Sequence, residues 1–257
     1  MEGIRQSANE MLDQVIRISR AAGHAVMEVY ETDYAVRSKT DKSPVTEADV
    51  RAEAIILAAL RTLTPEVPII AEEAVAAGDT PCVDSIFWLV DPLDGTKEFI
   101  GRNGEFTVNI ALVRETVPVL GVVFAPALGR LFAGAQECGA FVEDAAGRRQ
   151  IHCRAVPAEG LTVVASRSHG DAAALDTFLS GRKVAALVSS GSSLKLCLVA
   201  AGEADIYPRL GRTMEWDIAA GHAVLLAAGG EVKDIAGSPL RYGKPGYENP
   251  HFVASSS

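Results

Sequence analysis

No uninterrupted apolar run in these 257 residues reaches the roughly 18 that a membrane-spanning helix needs, which argues against an integral membrane segment. The first residues, Met1-Glu2-Gly3-Ile4-Arg5-Gln6-Ser7, lack the basic stretch and apolar core of a secretory leader. Cysteine is scarce. Cys82, Cys138, Cys153 and Cys197 are scattered with no Cys-x-x-Cys pair, so neither a zinc site nor a disulfide framework has support, and reduced thiols in the cytoplasm are the simplest account. Basic residues are outnumbered, 24 Lys and Arg against 33 Asp and Glu, for a net charge of −9. That sign works against nucleic-acid binding, which needs a basic surface to displace counterions. It would also repel any anionic ligand, so an anion site must be built from bound metal and a few placed cations. No internal repeat or low-complexity tract occurs, apart from Ser255-Ser256-Ser257, which reads as a disordered tail.

What remains is an ordinary soluble composition, 48% apolar and 22% charged, at a length between one large domain and two small ones. Ala8, Met11, Leu12, Val15, Ile18, Ala22, Val26 and Val29 recur at three- and four-residue steps and predict one long helix packed on a sheet. A second helix carries Val50, Ile56, Leu57, Leu60 and Leu63. Before it, Thr46 and Asp49 have the spacing of a reciprocal helix cap. Short β-like runs follow at 67–71, 86–90, 106–113, 119–124, 131–135 and 140–142, which predicts a largely antiparallel sheet. From residue 161 strands (161–165, 184–188, 204–207) alternate with helices (171–179, after Ser192, 217–228), as in an α/β half with a mixed sheet. The polar stretch 147–158 reads as irregular and places a boundary between an α+β half, 1–153, and an α/β half, 154–257.

The most informative segment is Trp88-Leu89-Val90-Asp91-Pro92-Leu93-Asp94-Gly95-Thr96-Lys97-Glu98-Phe99, where an apolar strand ends in two carboxylates three residues apart. Pro92 forces a turn, so Asp91 and Asp94 can converge on one point with the Leu93 carbonyl as a further oxygen ligand. Gly95 admits a phosphate close to the backbone, and a helix starting near Thr96 would offer it unpaired N–H groups. An Asp-rich turn is the structural alternative. Three more segments place polar groups at the end of apolar runs. In Val67-Pro68-Ile69-Ile70-Ala71-Glu72-Glu73 either glutamate could be a ligand. In Glu215-Trp216-Asp217, Asp217 could serve as an N-cap or as a ligand. The hydroxyl-rich loop Ser189-Ser190-Gly191-Ser192-Ser193 before Lys195 could cap a helix or bind phosphate. His24 and His222 sit in apolar helical patterns and read as packing residues; Trp88 and Trp216 read as core beside the site.

Together these segments resemble the lithium-sensitive, magnesium-dependent phosphatase superfamily of inositol monophosphatases and fructose-1,6-bisphosphatases, from about residue 10 to Phe252. Within it, Thr96-Lys97-Glu98-Phe99-Ile100, Asn103-Gly104-Glu105-Phe106-Thr107-Val108-Asn109-Ile110, Ser166-Arg167-Ser168-His169 and Gly191-Ser192-Ser193-Leu194-Lys195 are similar to bacterial 3'(2'),5'-bisphosphate nucleotidases. Inositol monophosphatases usually carry Thr-Asn-Phe after the Asp-Gly-Thr, where this chain has Lys97-Glu98-Phe99. The resemblance implies an α/β (α+β) five-layer αβαβα sandwich with the active site where the two halves meet. It implies Mg²⁺, two to three ions, with Glu72, Asp91 and the Leu93 carbonyl holding one and Asp91, Asp94 and Asp217 a second. A third, weaker ion would sit near Glu72 and Asp49, and Asp49 and Thr96 would form the catalytic dyad that activates water. It implies a nucleotide substrate, adenosine 3',5'-bisphosphate, held by Gly95, Thr96, Ser192, Lys195 and Arg209. His169 stands either beside the sugar or base or on the surface. Inhibition by Li⁺ and Ca²⁺, a role in sulfur metabolism, and a cytoplasmic monomer or homodimer, soluble or peripheral at the inner membrane, complete the expectation. The alternatives are an inositol or sugar monophosphatase of the same chemistry and a non-catalytic nucleotide sensor; the latter fits poorly with the presence of both Asp49 and Thr96.

Overall fold

The apolar stripe of the N-terminal segment is realised as a single helix, α1 (Glu2–Tyr30), with Leu12, Val15, Ile16, Ala22, Val26 and Val29 buried. The structure, a computed structural model, describes residues 2–32, 36–38, 44–166 and 172–256. After α1 come the paired strands β1 (Val36–Ser38) and β2 (Pro44–Thr46), then α2 (Glu47–Leu63), β3 (Ile69–Ala71), α3 (Glu72–Ala76), β4 (Ile86–Asp94) and α4 (Thr96–Ile100). A meander follows through β5 (Thr107–Arg114), β6 (Val117–Ala125), β7 (Arg130–Ala135), β8 (Gly139–Asp144) and β9 (Gly147–Ile151). The rest comprises β10 (Leu161–Ser166), α5 (Ala172–Leu179), β11 (Val184–Ser190), α6 (Leu194–Ala200), β12 (Ile206–Arg209), α7 (Glu215–Ala227), β13 (Gly230–Asp234) and β14 (Phe252–Ser256).

Strands β3 to β9 form one seven-stranded sheet in sequence order, antiparallel except for the parallel β3–β4 pair. The side chains of β4 alternate between its faces. Trp88 and Val90 join the core under α1 and α2, whereas Phe87 and Leu89 join the core under α6 and α7. Helix α7 lies directly on the sheet backbone. Gly121 and Gly134 are cross-strand partners on β6 and β7, and a Cβ at either would fall 2.3 Å from the Ala220 carbonyl oxygen or 2.9 Å from the Val224 Cα. Only glycine permits that approach.

The second sheet has the order β11-β10-β12-β14-β13, parallel across β11, β10 and β12 and antiparallel beyond. The chain steps from β10 through α5 to β11, then returns through α6 to β12 on the other side of β10. Right-handed crossovers in opposite directions put α5 and α6 on opposite faces. Helix α6 packs against α7, so α5 takes the outside, and the five-layer αβαβα order follows. The return also creates a switch point at the carboxyl ends of β10 and β12, where open α/β sheets bind ligands.

Four local readings need correction. Residues 147–151, expected to be irregular, form β9, because the turn at Gly147 (φ 94) closes a hairpin with β8. Ser255 and Ser256, read as part of a disordered tail, pair with Ile206, Glu231 and Gly230; the ladder is made by backbone groups that serine supplies as well as valine. His24, which reads as a packing residue, and Val50, which reads among the apolar positions of the second helix, both face outward, Val50 at 58% exposure, because each lies just off the buried stripe of its helix. His222 is buried as expected, its Nδ1 2.8 Å from the Tyr242 hydroxyl, and burial drives its pKa down to about 3.

Candidate active site

The carboxyl end of β4 carries the informative segment, and the sheet is interrupted there. Asp91 pairs with Asn109 and Asp94 with Thr107, with a register shift between them around Pro92. Such a bulge re-aims side chains that a regular strand would send to alternate faces. The Asp91 carboxylate Oδ1 accepts the Leu93 N–H at 3.0 Å, and the Leu93 carbonyl accepts the Thr96 hydroxyl at 3.3 Å. Gly95, at φ 88 and ψ 43, bends the chain into α4.

Around this turn a cavity of about 550 Å³ opens at the seam of the two sheets. From the seven-stranded side it is lined by Glu72, Asp91, Leu93, Asp94, Gly95 and Thr96. From the other side come Ser192, Lys195, Arg209 and Asp217. Of the two glutamates after β3 it is Glu72 that faces the cavity, while the Glu73 N–H donates to the buried Glu53 of α2 at 2.8 Å. Asp217 is the third residue of α7, not its N-cap, and accepts the Met214 N–H at 2.7 Å. Asp49 is not among the lining residues. It is buried and completes the reciprocal cap of α2, its Oδ2 accepting the Thr46 N–H at 2.8 Å and the Thr46 hydroxyl at 2.7 Å. His169 lies outside the described residues, although Ser166, just before that segment, lines the cavity.

Electrostatics mark the carboxylates as one group. Burial raises Asp91 well above the usual carboxylate range, and Glu72, Asp94 and Asp217 add to the shift. Asp217 is raised by burial, then by Asp94 and Glu72. Asp94 is raised to about 6 by burial, with Lys195 and the Ser193 N–H opposing. Like charges gathered in a poorly solvated place are unfavourable unless cations neutralise them. As they lie among the described residues, no three such side chains are disposed to hold a metal ion together, and Asp91, Asp94 and Asp217 each turn one oxygen toward a backbone N–H. The donor set, all carboxylate and carbonyl oxygen, fits Mg²⁺.

The opposite wall is cationic. Lys195 is 4% exposed; burial lowers its pKa to about 8, against the pull of Asp94. Its Nζ donates to the Ser190 carbonyl at 3.3 Å and to that of Ser192, and lies 5.4 Å from the Tyr207 ring centre. Arg209, at the end of β12, donates to the Arg212 carbonyl at 2.8 Å. Ser192 holds a left-handed backbone, φ 43, unusual for a residue with a Cβ, and its buried hydroxyl has no hydrogen-bond partner among the described residues. Strain and an unmatched buried donor at one residue mark a place built to receive something. The sequence reading passed over Glu98, Thr107 and Ser193 as individual residues. Glu98 is buried and lines the cavity, and its side chain abuts Gly191 closely enough that a Cβ there would sit 2.8 Å from Glu98 Cγ. A lone Asn109 within an apolar strand was the available signal for the network around Asp94.

A family model of the inositol monophosphatase family matches residues 7–256. The 3'(2'),5'-bisphosphate nucleotidase CysQ of Escherichia coli strain K12 is 49% identical over 248 residues, covering 95% of this chain and 99% of that protein. The protein of the same name from Buchnera aphidicola is 40% identical over 252 residues, covering 96% and 94%. The crystal structure of CysQ from Bacteroides thetaiotaomicron, a bacterial member of the inositol monophosphatase family, superposes with a TM-score of 0.81 at 37% identity, covering 96% of this chain and 97% of that one. With its two sheets, bulged β4 and shared carboxylate cavity, the chain belongs to the inositol monophosphatase family.

Proposed function

We propose that this protein is a Mg²⁺-dependent 3'(2'),5'-bisphosphate nucleotidase that removes the 3'-phosphate of adenosine 3',5'-bisphosphate, leaving AMP and phosphate, in support of sulfur metabolism. The observation that carries this reading is the division of one cavity into a carboxylate wall and a cationic wall. A single phosphate would need the first wall only. A second phosphate, far from the reacting one, gives Lys195 and Arg209 their purpose in a protein of net charge −9.

Glu72, Asp91 and the Leu93 carbonyl would hold one Mg²⁺, and Asp91, Asp94 and Asp217 a second, with Glu72 and Asp49 beside a third. Bound there, the ions would neutralise charge on the phosphoryl oxygens and lower the pKa of the attacking water. Thr96 would orient that water, and Asp49, buried and not lining the cavity, would take its proton. The Thr96 hydroxyl is steered by the Leu93 carbonyl at 3.3 Å, and the reciprocal cap anchors Asp49 at the head of α2. Gly95 and Thr96 receive the reacting phosphate at the start of α4. Ser192, Lys195 and Arg209 would hold the nucleotide; His169, a candidate contact to its sugar or base, lies outside the described residues. Of the two halves, 1–153 would supply the carboxylate wall except for Asp217, which comes from 154–257 together with Ser192, Lys195 and Arg209. Li⁺ would inhibit by taking a Mg²⁺ position with half the charge, and Ca²⁺ by its larger and looser coordination. The protein would act in the cytoplasm, free or at the inner face of the membrane, as a monomer or homodimer. Among the described residues no helix is long and apolar enough to cross a membrane.

The test is phosphate release from adenosine 3',5'-bisphosphate in Mg²⁺, with the nucleotide product identified. The expected product is AMP carrying its 5'-phosphate, and the expected inhibitors are Li⁺ and Ca²⁺. Retention of the 3'-phosphate, or turnover unaffected by chelation of Mg²⁺, would refute the proposal.

A further inference from the structure

Asp94 is held differently from the other acidic residues of the cavity. Its Oδ2 accepts the Ser193 N–H at 2.6 Å and the Asn109 side-chain N–H at 3.4 Å. The Ser193 hydroxyl donates to the Asn109 carbonyl oxygen at 2.7 Å, and the Thr107 hydroxyl lies 2.9 Å from the Ser193 hydroxyl. Counting protons fixes every direction in this chain. Ser193 has one hydroxyl proton and spends it on Asn109, so the Thr107 hydroxyl must donate to Ser193. The Asn109 carbonyl oxygen is then committed to Ser193, and its NH₂ must face Asp94. Thr107, Asn109 and Ser193 are all buried, at 0%, 0% and 3% exposure. A wrong orientation would leave a buried polar group unmatched.

The chain also crosses the seam. Thr107 and Asn109 belong to β5 of the seven-stranded sheet, and Ser193 immediately precedes α6 and follows the strained Ser192. We propose that Asn109 and Ser193, with Thr107 behind them, are positioning residues that occupy Asp94 Oδ2 and so present its other carboxylate oxygen to the cation. The inference rests on the metal reading of Asp94 given above. Through Ser193 it ties the metal wall to the loop that meets the nucleotide.

Hydrogen-bond partners of metal-ligating carboxylates orient them, and losing one typically costs about 10- to 100-fold in metal affinity. The readout is therefore Mg²⁺ binding in the absence of substrate, followed as the Mg²⁺ concentration that gives half of the full rise in melting temperature. Asn109→Ala should shift that concentration upward by about 10- to 100-fold, and Ser193→Ala, which keeps the backbone N–H to Asp94 and loses only the hydroxyl that orients Asn109, by a smaller factor, while KM for the bisphosphate at saturating Mg²⁺ changes far less. Thr107→Val, nearly the same shape without the hydroxyl, should weaken Mg²⁺ binding by a smaller factor. Thr107→Ser, which keeps the hydroxyl, should restore it. Asn109→Ala and Ser193→Ala proteins that melt lower without metal yet bind Mg²⁺ within about twofold of wild type would reduce the network to a structural one. Should Asn109→Ala not fold, the Thr107 pair decides: equal Mg²⁺ binding by Thr107→Val and Thr107→Ser would overturn the proposal. Wild-type protein that binds Mg²⁺ without hydrolysing the bisphosphate would defeat the functional reading instead, and the variant comparison would still decide this one.

Discussion

The two sheets meet at one cavity but are built to different standards. The seven-stranded sheet is covered on both faces except along its edge strand β9, and its strand β4 is buried at every position except its two ends. In the five-stranded sheet the edge strand β11 is exposed along all but its last residue, Leu187 at 59%, and α5 buries no side chain. The first delivers Glu72, Asp91 and Asp94; the second side delivers Lys195 and Arg209 from around its switch point, the strained Ser192, and Asp217 from α7. Metal positions must be held to a few tenths of an ångström for chemistry, whereas a distant phosphate needs charge in roughly the right place. Under the proposed function the thickly covered sheet, with Asp217 of α7, would carry the reaction and the thin one the choice of substrate.

The sharpest break in that comparison is Asp94→Asn. It is nearly isosteric and its amide oxygen can still accept the Ser193 N–H, but it removes a charge needed to hold Mg²⁺. Turnover should fall by roughly 10³-fold with the fold intact by circular dichroism. A folded variant of near wild-type activity at saturating Mg²⁺ would remove Asp94 from the metal wall.

Packing gives the next contrast. Leu89→Ala should cost about 2–5 kcal/mol in denaturant unfolding, whereas Leu187→Ala should stay within about 0.5 kcal/mol. Comparable losses at both would mean that β11 is covered in solution.

Dependence on pH follows from the raised carboxylates. With its pKa lifted from 3.8 to about 6, Asp94 binds a proton in the folded protein that the unfolded chain has already released. This group alone therefore lowers the stability of the metal-free protein as pH rises between about 4 and 6, by at most about 3 kcal/mol, while buried His222, with its pKa lowered to about 3, acts in the opposite direction. Asp91 and Asp217, raised further, extend the decline to higher pH. The fall should appear in chelator as the difference between the melting curves of wild type and Asp94→Asn, in which the His222 contribution cancels, and Mg²⁺ should flatten it; a difference that does not change between about pH 4 and pH 8 would contradict the clustered charge.

The smallest effect belongs to the thin sheet. Lys195→Ala should raise KM for the bisphosphate by about 10- to 150-fold, equivalent to roughly 1.5–3 kcal/mol for one charge-assisted bond, and change KM for a monophosphate much less. Equal losses on both would place Lys195 elsewhere in the mechanism.

Much of this was legible in the residues because local chemistry and fold agree there. The stripe of α1, the apolar run into Asp91 and Asp94, and the alternation of strand and helix after residue 161 are short-range patterns, and each became the element it predicted. Other features depend on distant partners. Strands β13 and β14 carry little periodicity and are defined by pairing with each other and with β12. Asp49 and Asp217 begin their helices with the same cap geometry, yet only Asp217 lines the cavity; the spacing of three was visible, the destination was not. Ser193 and Thr107 are 86 residues apart, so no window of sequence could pair them.

The most direct test of the central claim is the ratio of kcat/KM for adenosine 3',5'-bisphosphate to that for inositol 1-phosphate in saturating Mg²⁺, measured for wild type and for Lys195→Ala. The account predicts that wild type favours the bisphosphate by roughly 10²-fold or more and that Lys195→Ala collapses this preference while leaving inositol phosphate hydrolysis nearly unchanged. A wild-type ratio near one, or a preference that survives the loss of Lys195 intact, would contradict it.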